Sequence, residues 1–141
     1  MEYLRWSTRR SLNKSTLSEI PKQSGVYRIV TKGPFGRLRG QSNIIYIGCS
    51  CKGTQGLWLE IGNLLNPQRK HFYTLKAIRE FGLQLEYEYV ATTAKRAKDI
   101  EYHLLDHYGS KHLELPPANR AKPGHASCEY CENDVSIRAL Y

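Results

Sequence analysis

One carboxylate lies on the apolar side of the longest predicted helix, where a charge is costly. Residues 94–108 repeat apolar side chains at helical spacing, and Glu101 falls in the middle of that stripe. The stripe is made of Ala94, Ala97, Leu104, Leu105 and Tyr108, and the opposite face, typical of a solvated surface, carries Lys95, Asp99, His103 and Asp106. Burying a carboxylate is unfavourable unless it is paired or binds a metal. Glu101 is therefore either a partly exposed glutamate bonded to a lysine or arginine, or a ligand of a hard cation.

Two tyrosines form the second candidate group. Tyr27 lies in the predicted strand 25–30 and shares a face with Ile29, and Tyr46 lies in the apolar run 44–47 and shares a face with Ile44. If the two strands pair, the phenols can approach each other across the sheet. Ordinary cross-strand packing explains such a pair more often than catalysis does. A phenol takes part in acid–base chemistry only beside a metal or a basic group that lowers its pKa.

The four cysteines are spaced as two close pairs. Cys128-x-x-Cys131 resembles half of a zinc site, which either His125 or the pair Cys49 and Cys51 could complete. Two cysteines near a carboxyl end are more often unliganded, so zinc is the weaker expectation. Because a secreted disulfide scaffold would be shorter and richer in cysteine, the pattern favours a reducing, intracellular setting, cytoplasmic or nucleoid-associated.

The charge balance favours a polyanionic partner. The 141 residues include 21 Lys and Arg against 13 Asp and Glu, a formal charge of +8. Basic side chains release counterions when they bind phosphates, so DNA is the expected partner, and the alternative is a charge excess that only aids solubility. No apolar run has transmembrane length, so no membrane partner is expected. The candidate DNA contacts are Lys32, Arg37, Arg39, Arg69, Lys70, Lys76 and Arg79.

The elements expected to position these groups form one small α/β domain. Residues 1–20 read as a basic N-terminal segment, 21–120 as the domain, and 121–141 as a tail that carries the CxxC pair. Strands are predicted at 25–30, 44–47 and 83–90, and helices at 57–65, 71–81 and 94–108. A flexible basic loop is expected at 31–42. The order β, β, α, α, β, α predicts a mixed or antiparallel three-stranded sheet flanked by helices.

Several short motifs together resemble one known family. The tripeptides Gly25-Val26-Tyr27 and Tyr46-Ile47-Gly48 look like the paired signature of the GIY-YIG nuclease superfamily, with Val in place of the middle Ile. The resemblance spans roughly residues 17–120. Its other elements are Leu17-x-x-Ile-Pro21 before the first tripeptide, Glu101-x-x-Leu-Leu-x-x-Tyr108 on the later helix, and Pro116-Pro117-Ala-Asn119 at the end.

This resemblance implies a metal-dependent DNA endonuclease. Glu101 would hold Mg²⁺ or Mn²⁺, and Tyr27 or Tyr46 would help to deprotonate the attacking water. Asn119 would bind the substrate phosphate or fix the geometry of the site, and His71 would match an accessory histidine seen in some members. With one site in each chain, a homodimer or two successive nicks would cut both strands.

One position departs from the family pattern. The family usually has an arginine on the helix after the second tripeptide, and this chain has Glu60 there. A carboxylate would repel the substrate phosphate instead of stabilising its charge. The favoured explanation is an introduced substitution that silences the nuclease, because the other motifs are present. The alternatives are a relative that binds DNA without cutting, or an arginine supplied by Arg69, Arg79 or Arg28. Charge and cysteines alone would also suit a small zinc-stabilised nucleic-acid adaptor.

Overall fold

The computed structural model describes residues 4–80, 84–125, 128 and 131. Their strands form one antiparallel sheet in the order β1-β4-β2-β3. The strands are β1 (Arg10–Ser11), β2 (Gly25–Gly36), β3 (Gln41–Ser50) and β4 (Leu85–Ala91); the helices are a 3₁₀ helix (Lys14–Glu19), α1 (Gly56–Asn63), α2 (Lys70–Glu80) and α3 (Ala94–His112). The α/β prediction is confirmed, but the sheet has four strands where three were predicted. The extra strand is β1, which has two residues and pairs with the outer edge of β4.

The hairpin of β2 and β3 is longer than its sequence predicts. Both strands continue into the glycine-rich segment that was expected to be a flexible loop, and pair as far as Gly36 with Gln41. Arg37 forms an ion pair with Glu114 at 2.7 Å, and Arg39 donates to the Lys111 carbonyl at 2.8 Å. These contacts fasten the hairpin end to the last turn of α3 and to Glu114 just beyond it, which explains why a polar, glycine-rich segment keeps its strand conformation.

A β-bulge at Ile45 in β3 separates the face of Ile44 from that of Tyr46, which lies on the same side of the sheet as Tyr27. Ile29 pairs with Tyr46 whereas Val30 pairs with Ile44, so Ile45 is an extra residue in the register. Ile45 and Tyr46 consequently pack in the same core layer, on the other side of the sheet from Ile44. The prediction that Tyr46 shares a face with Ile44 was therefore wrong, because strict alternation fails at the bulge.

Helices cover both faces of the sheet. Tyr27, Ile29 and Tyr87 pack with Leu57 and Ile61 of α1 on one face. On the other face α3 packs its apolar stripe on the sheet through Ile100, Leu104, Leu105 and Tyr108. In the part of the chain that the structure describes, no helix is both long and apolar enough to cross a membrane. The site residues are thus held between two packed layers.

The helix bounds differ modestly from the predicted ones. Thr93 caps α3 as expected, because its side chain accepts from the Arg96 backbone N–H. The helix continues beyond Gly109, its predicted end, and stops at His112, after which Leu113 takes a left-handed conformation with φ of 64°. The additional turn carries the carbonyls that receive Arg39.

The N-terminal residues pack onto the sheet around a buried ion pair. The guanidinium of Arg28 on β2 donates to Glu88 on β4, and both side chains are less than a tenth exposed. The Trp6 ring lies 4.0 Å from the Arg28 guanidinium carbon, and Arg9 reaches the same carboxylate at 3.2 Å. Leu12 is buried in the core as well. Residues before the first long strand therefore contribute to the core of the same unit.

Candidate functional site

Two neighbouring cavities open beside the paired tyrosines. They have volumes of about 480 and 290 Å³, and Tyr46 and His71 line both of them. We call the two together the cleft. The larger cavity is also lined by Tyr27, Glu60, Asn63, Leu64, Gln68 and Arg69, and the smaller one by Ile47, Glu101, Leu105 and residues 119–123. The fold thus brings together Tyr27, Tyr46, Glu60, His71, Glu101 and Asn119, which were all singled out from the sequence.

The two phenols and the imidazole lie in a row along the cleft. The ring centroids of Tyr27 and Tyr46 are 5.9 Å apart, and those of Tyr46 and His71 are 4.8 Å apart. Gly48 makes this packing feasible, because a Cβ there would lie 2.7 Å from atoms of both tyrosine rings. Gly48, the last residue of the second tripeptide, therefore leaves room for the rings of both Tyr46 and Tyr27.

The electrostatics distinguish the two tyrosines. Burial raises the pKa of Tyr27 well above its ordinary value, and the nearby Tyr46, Glu60 and Glu101 raise that pKa further. Burial also raises the pKa of Tyr46, to about 12, although a hydrogen bond from Tyr27 opposes the shift. The hydrogen bond between the two phenols lowers the pKa of Tyr46 and raises that of Tyr27, so Tyr46 is the phenol whose ionised form is better supported. Sequence reasoning could not choose between them, and this hydrogen bond favours Tyr46.

Glu101 projects from α3 beside the smaller cavity. Desolvation raises the pKa of its carboxyl, and hydrogen bonds from the Cys49 thiol and the Cys49 backbone N–H, with the charge of Lys98, oppose that rise. Burial, followed by the charge of Glu101, raises the pKa of the Cys49 thiol, so this group stays protonated and donates. Of the two alternatives for Glu101, the geometry shows a partly buried acid held by Cys49 at the edge of a cavity.

Both polar atoms of the Asn119 side chain form hydrogen bonds with the backbone of β3, an edge strand of the sheet. Its side-chain oxygen accepts from the Ile47 N–H at 3.0 Å, and its side-chain nitrogen donates to the Ile47 carbonyl at 2.9 Å. The neighbouring Ala118 N–H donates to the Ile45 carbonyl at 2.9 Å. Of the two roles considered for Asn119, these bonds favour fixing the geometry of the site over binding a phosphate.

We expect Asn119→Ala to lower the free energy of unfolding by about 2 kcal/mol, because two hydrogen bonds are lost and a backbone N–H and carbonyl lose their partners. Asn119→Asp retains the acceptor but loses the donor, so its loss should be intermediate. Urea unfolding of the three proteins measures the effect. Equal stability of Asn119→Ala and the unsubstituted protein would contradict the clamping role.

Of the three arginines considered as substitutes, only Arg69 lines the cleft. Burial raises the pKa of Glu60, and the positive charge of Arg69 opposes that rise, so the two groups interact. Arg28 instead pairs with Glu88, and Arg79 donates to the Leu12 carbonyl at 2.5 Å. An arginine for the cleft can therefore come from Arg69 without rearrangement of the fold.

The candidate DNA contacts are spread over several surfaces. Lys32 and Lys76 are exposed, Arg69 lies at the cleft, and the side chain of Lys70 is outside the described residues. Arg37 and Arg39 fasten the hairpin to α3, and Arg79 fastens α2 to the N-terminal segment. Sequence reasoning missed Arg120 and Lys122, which line the smaller cavity. Their position just after the Pro116-Pro117-Ala-Asn119 motif was the available signal.

A second cluster of polar groups lies on the outer face of α3. The donor atoms of His103, His125, Cys128 and Cys131 all lie within 4.8 Å of one another, close enough to hold one metal ion. The prediction that His103 belongs to a solvated face was wrong, since its exposure is only 8%. His125, expected as one partner of the cysteines, is present, whereas Cys49 and Cys51 form no part of this cluster.

The chain thus brings together a cleft around Glu101 and a separate histidine–cysteine cluster, both carried by α3. No protein-family model, curated protein or solved structure matches this chain.

Proposed function

We propose that this protein is a metal-dependent endonuclease that hydrolyses phosphodiester bonds in DNA. The observation that carries the proposal is the convergence of Glu101, Tyr46 and His71 on one cleft. The resemblance of the two tripeptides and the later motifs to the GIY-YIG nuclease superfamily supports the same activity. A cleft with a partly buried acid, phenols and basic side chains suits a polyanionic substrate.

The residues around Glu101 fit a hard divalent cation. Mg²⁺ and Mn²⁺ prefer oxygen ligands and keep several waters, so one carboxylate beside a cavity of about 290 Å³ fits them, with phosphate oxygens of the substrate as further ligands. The Cys49 thiol and backbone N–H lie beside that carboxylate and favour its ionised form. A bound Mg²⁺ or Mn²⁺ would supply Lewis acidity to the scissile phosphate.

Tyr27, Tyr46 and His71 together carry out the proton transfer. Tyr46 exchanges a proton with the attacking water, and Tyr27 supports the ionised form of Tyr46 through the hydrogen bond between the two phenols. His71, in ring contact with Tyr46, orients that ring. Because burial holds the pKa of Tyr46 near 12 in the protein alone, the base becomes effective only when positive charge enters the cleft.

The basic side chains of the cleft bind the DNA backbone. Arg69 flanks the larger cavity, and Arg120 and Lys122 flank the smaller one. Lys122 is also paired with Asp106 at 2.8 Å, so Arg120 and Arg69 carry more of the attraction. Such phosphate contacts position a duplex without reading its sequence. One cleft in each chain would nick one DNA strand, so cutting both strands requires a homodimer or two successive nicks.

A DNA-binding module without catalysis is the second candidate. The observation that favours it is Glu60, whose carboxylate lines the cleft and raises the pKa of both tyrosines. That charge opposes both a substrate phosphate and an ionised Tyr46. The two candidates share the DNA-binding surface and differ only in turnover.

Nicking of supercoiled plasmid under enzyme excess tests the proposal. We expect slow nicking that requires Mn²⁺ or Mg²⁺ and is lost in Glu101→Gln, while Glu86→Gln, changed on β4 away from the cleft lining, retains it. DNA binding should persist in both variants, measured by fluorescence anisotropy. If the unsubstituted protein and Glu60→Arg both bind DNA but never nick it with either cation, the non-catalytic module is correct.

Glu101→Gln should also stabilise the folded protein at neutral pH. Desolvation raises the folded-state pKa of Glu101 above its ordinary value of 4.5, so the ionised form costs stability once the pH exceeds that value. Removing the charge should raise Tm at pH 7, and the gain should shrink as the pH falls toward 4. Scanning calorimetry at both pH values measures it. Addition of Mn²⁺ should raise Tm of the unsubstituted protein only; a lower Tm for Glu101→Gln at pH 7 would contradict the argument.

A further inference from the structure

We infer that His103, His125, Cys128 and Cys131 form a closed structural zinc site that ties the C-terminal tail to α3. Of the tail at 121–141, the structure describes residues 121–125, Cys128 and Cys131. The site is separate from the cleft and does not depend on the proposed nuclease activity. One ligand comes from the middle of a packed helix and three come from the tail, so an ion here would join two parts of the fold.

The spacing of the donor atoms matches a tetrahedral zinc ion. With Zn–S of about 2.3 Å and Zn–N of about 2.0–2.1 Å, a tetrahedron separates two sulfurs by about 3.8 Å and a sulfur from a nitrogen by about 3.6 Å. The two cysteine sulfurs are 3.8 Å apart. The sulfur–nitrogen distances are 3.3 Å from Cys128 to His103, 3.6 Å from Cys131 to His103 and 3.4 Å from Cys131 to His125. Four of the six distances between donor atoms are therefore close to those of a tetrahedral zinc site.

The surroundings hold the ligands in these orientations. The His125 ring stacks on the Tyr102 ring with centroids 4.0 Å apart, and the His103 ring meets the edge of Tyr102 at 5.2 Å. With Nε2 of His125 turned toward the sulfur of Cys131, its Nδ1 lies 3.9 Å from the Asp99 carboxylate. This carboxylate is near the far nitrogen without a hydrogen bond in the structure, in the place from which carboxylates commonly orient metal-binding imidazoles. Asp99, like His103, stands on the face of α3 that sequence reasoning expected to be solvated.

The donor set selects the metal. Two thiolates and two imidazoles in a tetrahedron favour Zn²⁺, whereas Mg²⁺ and Mn²⁺ require oxygen donors. The Cys128 N–H points to the Cys131 sulfur at 3.4 Å, which suits a thiolate in a CxxC turn. Binding releases the two thiol protons, and four protein ligands leave no open position for a substrate. The ion is therefore structural.

Zinc at this position would also order one wall of the cleft. Asn119 and Arg120 line the smaller cavity beside Glu101, and Asn119 is clamped to the backbone of Ile47. The chain is thus attached to the sheet at Asn119, just before the tail, and the tail is attached through the ion to α3 at His103. The segment between these two points is held at both ends.

Zinc content of the reduced, chelator-free protein tests the site directly. We expect one zinc ion per chain by atomic emission, and a loss of at least ten-fold in zinc retention for Cys128→Ser and for Cys131→Ser. The matched controls are Cys49→Ser and Cys51→Ser, which change a pair with a similar sulfur–sulfur distance of 3.6 Å and should retain zinc. Cys131→His replaces one good ligand by another and should restore binding.

Replacement of zinc by Co²⁺ in the unsubstituted protein provides a test that needs no variant to fold. We expect intense visible bands of tetrahedral cobalt and a near-ultraviolet thiolate charge-transfer band, both absent from Cys128→Ser/Cys131→Ser. The inference is overturned if the reduced protein takes up no zinc, if its cobalt spectrum lacks thiolate charge transfer, or if zinc follows Cys49 and Cys51 instead. A disulfide between Cys128 and Cys131 in reductant would overturn it too. None of these outcomes decides whether the protein nicks DNA, for which Glu101→Gln is the test.

Discussion

Replacing Glu60 by arginine is expected to increase metal-dependent nicking by about 10²- to 10³-fold, the scale associated with one well-placed charge-stabilising donor. Glu60 lines the cleft with both tyrosines, and its charge raises the pKa of Tyr27 and of Tyr46. Arginine at this position would attract the phosphate and favour ionisation of Tyr46. The measurement is the single-turnover rate of plasmid nicking in Mn²⁺.

Three further variants separate charge removal from charge reversal. Glu60→Gln should give a smaller gain, because it removes repulsion without adding a donor. Glu60→Arg/Glu101→Gln should lose the gain, because the cation ligand is absent. Arg69→Ala should reduce nicking by the unsubstituted protein if Arg69 already serves the substrate. An inert Glu60→Arg that folds and binds DNA would rule out an introduced silencing substitution.

Replacing Glu88 by alanine is expected to lower the free energy of unfolding by about 3–5 kcal/mol, the usual cost of leaving one partner of a buried ion pair uncompensated. Arg28 would lose its buried carboxylate, and Arg9 would lose its ion pair. The Trp6 ring on Arg28 retains only part of the compensation. Urea unfolding measures the change.

Glu86→Ala is the matched control for Glu88→Ala. Glu86 lies two residues earlier on the same strand and the same face, and it is more exposed. Its loss should cost less than 1 kcal/mol, as for most surface substitutions. Arg28→Met/Glu88→Leu should recover most of the stability, because apolar groups of similar volume replace the pair. A cost for Glu88→Ala no larger than that for Glu86→Ala would show that the pair is not a major support.

The cleft could be foreseen from the sequence to the extent that local periodicity defines it. Helical spacing placed Glu101 on the packed side of α3, and strand spacing placed Tyr27 on one face with Ile29. Each of these two placements follows from the side-chain periodicity of a single helix or strand. The partnership of Tyr46 with Tyr27 was expected for the wrong reason, because the bulge at Ile45 depends on how two strands align and leaves no mark in the spacing of either.

The rest depends on contacts between distant segments. Strand β1 has only two residues, and pairing with β4 defines it more than its own composition does. The hairpin end is held by Arg37 and Arg39 on α3, so glycines that usually indicate a loop remain in strands. His103 looked solvated because the tail that covers it comes more than twenty positions later in the chain. The helical periodicity of residues 94–108 cannot predict burial by a segment so distant in the sequence.

The pairing of β2 with β3 makes the arrangement of the tyrosines a matter of register as well as of chemistry. Residues that pair across two strands share a face, so Tyr46 faces His71 because it pairs with Ile29, and the bulge at Ile45 turns Ile44 to the opposite side. A relative could retain both tripeptides letter for letter and yet, with the second shifted by one residue against the first, direct its phenol at α3. Motif identity alone is therefore an insufficient marker of this architecture, and the strand register between the tripeptides is part of the signature.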